Sequence, residues 1–301
     1  VSAAFEDAEI TGNREAFGFV QALATELSAG TVQLPSYPEA AVRLQRALSC
    51  EEIDAGVVVR AIGSEPALAL RVMQMANSAL LNPMGRQVLD LRTAVSRIGY
   101  NMVRTAAVAF IIQQLRNAES LRDLGAELAA LWHEGVSVAA FSHVIARRQT
   151  RLNPDVALLA GLLQGVGRLY ILTRLRERPA LKDHPQACER ILRDWQAGVA
   201  RAILDSWGVA EAVGEAVEQC GRPDRELRGP VSLSDVLSVA RVLIDLQAAA
   251  PEGLPDAAMI DAALAGQARF LDRLGVDAPA CLAILRDAAA DVDALHAALD
   301  L

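Results

Sequence analysis

The residues with chemical reach are few. There are four histidines (His133, His143, His184 and His296) and four cysteines (Cys50, Cys188, Cys220 and Cys281). Beside them stands one suggestive stretch, AGLLQGVGRL, from Ala160 to Leu169. It has the rhythm of a helix, a glycine break and a second helix. A His-Asp pair at such a break can hold a metal ion that acidifies a bound water and so makes a nucleophile at neutral pH. Here the two positions read Gln164 and Gly165. A neutral amide grips a divalent cation less well than a carboxylate, and glycine offers no side chain at all. The cysteines are widely spaced, with no C-x-x-C pair and no partner pattern for nucleophilic catalysis. They suit a reducing cytoplasm, as small apolar side chains. Gly161, Gly165 and Gly167 only superficially resemble a phosphate loop. They follow a helix instead of a strand and lack the Walker lysine, so close helix packing is expected of them.

The elements that would position these residues read as helices throughout. Hydrophobic residues make up 52% of the 301-residue chain and aromatic ones only 4%, which favours helices packed through small and branched side chains over a β-sandwich. A capping box at Ser49 and Glu52 predicts a helix with Ile53, Val57 and Ile62 on one stripe, stopped by a left-handed Gly63. Ser64 and Pro66 open the next, which buries Leu68, Val72 and Met75 and ends near Asn77 and Ser78. Helices follow over 91–98, stopped by Gly99, then 101–115, 122–148, a helix capped by Asn153-Pro154, 186–207, 210–219, 232–249, 256–274 and 278–299. No segment alternates with period two, so the fold class is all-α. Residues 1–32 read as an amphipathic helix and linker, 33–249 as the main domain, and 250–301 as a C-terminal helical extension. The longest uncharged apolar run, Ala106 to Ile112, is far shorter than the roughly 20 residues that span a bilayer, and no signal-peptide pattern opens the chain. It starts at Val1 instead of Met, so upstream sequence is expected. A formal charge of −8 argues against general affinity for nucleic acid.

Several stretches together resemble the HDOD family of bacterial signalling proteins. They are LPSYPEAAVRLQRAL (34–48), EPALALRVMQMANSALLNP (65–83), AVSRIGYNMVR (94–104), LWHEGVSVAAFSHVIAR (131–147) and DVALLAGLLQGVGRL (155–169). The resemblance runs from Leu34 to about Arg241. It implies a multi-helix bundle related to HD-type phosphohydrolases, in which a His, a His-Asp pair and a later Asp gather around a metal. By that resemblance the four positions are His133, Gln164, Gly165 and Arg241, so one donor of four survives. An arginine brings a fixed positive charge to the place of a ligand. His143 cannot complete a site at His133 from the same helix, since ten residues put it about 15 Å along and roughly 80° around.

The expectation is therefore a regulatory module that is not an enzyme and carries no metal or cofactor. The resemblance implies work through protein contacts in cyclic-dinucleotide, motility or virulence control. Its implied partners are receiver, diguanylate-cyclase or phosphodiesterase-type signalling proteins, with a homodimer also open. Two other readings compete: a small-molecule or nucleotide sensor using the vacant HD cavity, and a divergent metal-dependent phosphohydrolase. Membrane contact is not expected, and nucleic acid ranks last. His133 is expected to be a hydrogen-bonded core histidine or else a contact in a polar pocket. His143, His184 and His296 are expected at the surface or in caps. Asn77 and Ser78 are helix terminators first and polar anchors second. Trp195 and Trp207 are core anchors, or partner contacts if exposed. Arg43, Arg46, Arg60 and Arg71 read as a solvated basic strip.

Overall fold

The structure, a computed structural model, describes residues 2–29, 43–44, 47–48, 52–78, 81–82, 84–220, 222, 225–227, 229–250, 254–266 and 268–299. Among the described residues every regular element is helical, as the sequence pattern predicts. Helix α1 spans Ser2–Ser28, α2 Ala55–Gly63, α3 Pro66–Asn77 and α4 Leu91–Asn117. A 3₁₀ turn, Glu119–Leu124, leads into α5, Gly125–Gln149. Then come α6 Pro154–Leu163, α7 Val166–Leu175, the short α8 Pro179–Lys182, α9 Pro185–Ser206, α10 Glu211–Gln219 and α11 Leu233–Ala248. The chain ends in α12 Ala257–Gly266, α13 Ala268–Leu274 and α14 Ala278–Leu299.

Local chemistry sets most of these boundaries. Asn153 accepts hydrogen bonds from the Asp155 and Val156 amides, at 2.8 and 3.3 Å, and Pro154 opens α6 where a missing N–H costs nothing. Ser232 and Asp235 form a reciprocal capping box at the start of α11. Gly99 takes φ 73° and breaks α4, which resumes at once.

Other boundaries differ from the sequence reading. Ser49 lies outside the described residues, and the cap of α2 is Asp54, which accepts from the Gly56 amide at 2.6 Å. With the start shifted, Val58, Ala61 and Ile62 form the buried stripe, while Val57 is 39% exposed. Gly63 stays helical; the α2 cap is Ser64, in an ordinary right-handed conformation. Glu65 holds the N-cap position of α3 without a side-chain capping bond, and the Ser64 hydroxyl donates back to the Ala61 carbonyl at 2.7 Å. Over the span 256–274, expected as one helix, helical backbone is described at Ala257–Gly266 and Ala268–Leu274, and residue 267 lies outside the described residues.

Helix α5 is the central post. It packs against α6, α11 and α14 and buries Trp132, Val136, Phe141, Val144 and Ile145. Two glycines set how closely its neighbours approach. A Cβ on Gly161 would lie 2.6 Å from the Ala139 Cα of α5, and one on Gly167 would strike the Gln196 carbonyl of α9. Phe19 and Leu23 bring α1 into the same core, as Ile284, Leu285 and Ala288 do for α14. Two stretches, Leu121–Gln149 and Pro154–Leu175, are long and apolar enough to cross a membrane by composition. Their most apolar windows are 67% and 72% buried against other helices, and that packing accounts for their hydropathy.

Candidate functional site

Where α5, α6, α7, α9, α10 and α11 meet, a cavity of about 260 Å³ opens beside Gly165. Its wall is mostly polar. Helix α5 contributes Glu134; the α6–α7 break contributes Gln164 and Gly165; α7 adds Arg168. Helix α9 supplies Arg193, Asp194 and Gln196, and α11 supplies Arg241. Cys220 and Arg222, just past α10, complete the polar lining.

The centre of the site is a three-residue bond network. The Arg241 Nη1 donates to Glu134 Oε1 at 3.0 Å and to Gln164 Oε1 at 2.9 Å. An Nη carries two hydrogens, so both are used. Gly165 is the N-cap residue of α7 in an ordinary backbone conformation, and it provides no side-chain cap. A Cβ placed on it would touch nothing within 4 Å, so the cavity continues up to its backbone. Burial pushes the Cys220 thiol above its ordinary value, and Arg241 and Arg225 only partly pull it back. Cys220 is therefore held as a thiol, which does not suit it to nucleophilic attack or to metal binding.

The residues here do not fit the divalent ion of an HD-type phosphohydrolase. Glu134 is the carboxylate at the centre, and its Oε1 is committed to Arg241. The Gln164 oxygen is committed to the same guanidinium. An added cation would face a fixed positive charge in the middle of its donor set. Among the described residues, no group of three or more His, Cys, Asp or Glu side chains could hold a metal.

The structure brings together Gln164, Gly165 and Arg241 but leaves out His133. That residue is exposed and does not line the cavity; the expectation of a core histidine is corrected. One residue along a helix is a turn of about 100°, enough to move a side chain to another face. Leu131 and Glu134, three apart, share the cavity face, whereas Trp132 and Val136 face the core. The phase of those apolar residues was the signal that marks Glu134 as the inward member of the His133-Glu134 pair.

The other candidates lie elsewhere. Asn77 works as a brace: its amide donates to the Met73 and Val88 carbonyls, each at 3.0 Å, and its carbonyl accepts from the Val88 amide at 2.8 Å. Ser78 donates to the Met75 carbonyl at 2.8 Å. Trp195 and Trp207 are half-buried against the core. His143 is buried, not at the surface, between Asp155 at 3.9 Å and Asp291 at 3.8 Å. His184 is the half-buried residue preceding Pro185 at the start of α9, and the His296 side chain lies outside the described residues. Of the four arginines expected in a solvated basic strip, Arg71 is instead fully buried and reaches Gln113, and Arg46 lies outside the described residues.

Comparison with known proteins agrees with the architecture. A protein of Treponema pallidum (strain Nichols), itself uncharacterised, is 23% identical over 212 residues, covering 64% of this chain and 39% of that one. The chain thus spans well under two thirds of that relative's length. A crystal structure from Shewanella amazonensis SB2B, provisionally named a metal-dependent phosphohydrolase, superposes with a TM-score of 0.66 at 23% identity, covering 93% of this chain and 99% of that one. A protein of Marinobacter aquaeolei VT8, provisionally named for signal transduction, gives 0.61 at 20% identity, covering 94% of this chain and 65% of that one. At such identities these likenesses establish the fold. The family model for the HDOD domain matches residues 34–223, which takes in α2 to α10 and every helix lining the cavity except α11. This chain belongs to the HDOD family.

Proposed function

We propose that this chain is a non-catalytic regulatory module of bacterial signal transduction that acts through contacts with other proteins. One observation carries the non-catalytic part. The Arg241 guanidinium is bonded to Glu134 and Gln164, at the centre of the cavity where a metallohydrolase needs its ion. HDOD membership and the likeness to a protein provisionally named for signal transduction support the regulatory part. Receiver, diguanylate-cyclase and phosphodiesterase-type proteins are the proposed partners, in cyclic-dinucleotide, motility or virulence control. The reducing cytoplasm is the proposed compartment, consistent with free thiols at Cys188, Cys220 and Cys281.

The test has two arms. The purified chain, supplied with manganese, iron or zinc, is assayed on a generic phosphodiester and analysed for bound metal. The expected outcome is neither turnover nor stoichiometric metal. Metal-dependent turnover abolished by Glu134→Ala would replace the proposal with a divergent phosphohydrolase. The second arm measures binding to isolated receiver and diguanylate-cyclase domains from the same genome by calorimetry.

A further inference from the structure

The cavity is chemically inverted relative to a metal site. Among the described residues, four arginines line it (Arg168, Arg193, Arg222 and Arg241, of which Arg222 pairs with Glu218 at 3.9 Å) against two carboxylates, Glu134 and Asp194. The formal balance of these six groups is therefore +2, inside a chain whose overall charge is −8. Glu134 is already spent on Arg241. Arg168 and Arg193 make no hydrogen bond or ion pair with any described residue, although each has five donors. Arg241 is immobilised through Nη1 alone. Its Nε and Nη2 donors have no partner among the described residues. Beside them, the first turn of α7 begins at Gly165 with no side-chain cap and open space over the Cα. Uncapped first-turn amides and the helix dipole both favour an anion there.

We propose that this cavity binds a small phosphate-bearing anion, with Arg241, held by Glu134 and Gln164, as a built-in cation and Arg168 and Arg193 as its mobile clamps. Guanidinium forks match phosphate oxygens two at a time, which a carboxylate-bound metal ion would otherwise do with its point charge. The volume of about 260 Å³ admits a small molecule and excludes a nucleic-acid strand. The acidic remainder of the chain argues the same way, since polyanion binding draws on extended cation arrays. None of the described residues lining this cavity is aromatic, so recognition rests on the phosphate and not on stacking of a base. The regulatory reading above is needed only to say what such a ligand would control; binding itself stands apart from it.

The experiment titrates pyrophosphate into the full chain by calorimetry at constant ionic strength, with sulfate as the competitor. Saturable one-to-one binding is expected. Arg241→Gln and Arg193→Gln should each weaken it by about tenfold or more, as the loss of a charge-assisted contact does. The decisive pair is Gly165→Asp against Gly165→Asn. Both are good helix caps and should hold or slightly raise the melting temperature. Only the aspartate adds negative charge to the cavity, so it should bind pyrophosphate about tenfold less tightly than the near-isosteric asparagine. The absence of saturable heat at millimolar pyrophosphate would overturn the proposal, as would equal affinities in that pair. Sulfate competing as well as pyrophosphate binds would reduce the site to an adventitious ion only and also overturn it. Neither failure touches the protein-contact reading, which the partner titrations test. Metal-dependent cleavage of pyrophosphate would support the site while removing the non-catalytic reading.

Discussion

Gly165 and Gly167 are two residues apart, and a methyl group would meet opposite surroundings at each. At Gly167 it would collide with the Gln196 and Ala200 backbone of α9, whereas at Gly165 it would enter open space. Gly167→Ala should therefore destabilise the protein by about 3 kcal/mol, the upper range for overpacking, because backbone cannot rotate away as a side-chain tip can. Gly165→Ala should cost at most about 1 kcal/mol, through the weaker cap it makes. Urea unfolding of the two variants checks the contrast. The cysteines separate in the same way. Burial pushes the Cys281 thiol up to about 11, so in native protein at mildly alkaline pH it should resist iodoacetamide until the chain is unfolded, as mass spectrometry of the alkylated peptides would record. Close packing at Gly161 and Gly167 is legible in the sequence from the absence of a strand and a lysine. The exposure of His133 is legible only from the helical phase of its neighbours.

At the scale of elements, caps and braces decide where helices begin and what they hold. Asn77 ties the end of α3 to Val88 through donor and acceptor together, and Asn82 donates to the Arg86 carbonyl at 2.8 Å within the same connection. Asn77→Ala should cost about 1–3 kcal/mol, since it strands the Val88 amide and carbonyl. Faster proteolytic cleavage between α3 and α4 would be its signature, and an unchanged cleavage rate would count against the brace. Asn153-Pro154 is readable as a cap because the bonding is local, within three residues. Ser49 and Ser64 carry the same composition signals, yet Asp54 and Glu65 occupy the observed caps of α2 and α3. Each of those helices could start at more than one neighbouring polar residue, and the burial of Val58 and Leu68 chooses between the starts.

The whole molecule is joined by charge as well as by its core. Asp235, fully buried on α11, accepts hydrogen bonds from Arg225 at 2.6 Å and from Arg273 of α13 at 2.8 Å. Burial pushes its carboxyl up, but the Arg273 bond, the Ser232 amide and Arg225 together hold it below the ordinary 3.8. A depressed folded value means the stabilisation is present above the unfolded value and is lost as pH falls through the folded one. Acid unfolding should therefore begin below about pH 4 for this pair of contacts. Asp235→Asn should destabilise by about 3–5 kcal/mol by leaving two guanidinium groups short of their counter-charge, and should flatten the acid limb of a stability–pH curve. The link also ties α13 through Asp235 to Arg225, two residues beyond the stretch matched by the HDOD family. Removing α14 would expose Ile284, Leu285 and Ala288's contact surface on α5, so the shortened chain should lose cooperative thermal unfolding.

Amino-acid order alone determined the helical class, the main helices and the Gln164-Gly165 break between α6 and α7, because periodicity, local caps and residue type are one-dimensional properties. Tertiary structure decided that a cavity opens beside Glu134, that Arg71 and His143 are buried, and that Arg241 is clasped by Glu134 and Gln164. Those facts depend on the angles at which helices far apart in the chain meet, and a 100° error on one helix is enough to exchange a ligand for a surface side chain.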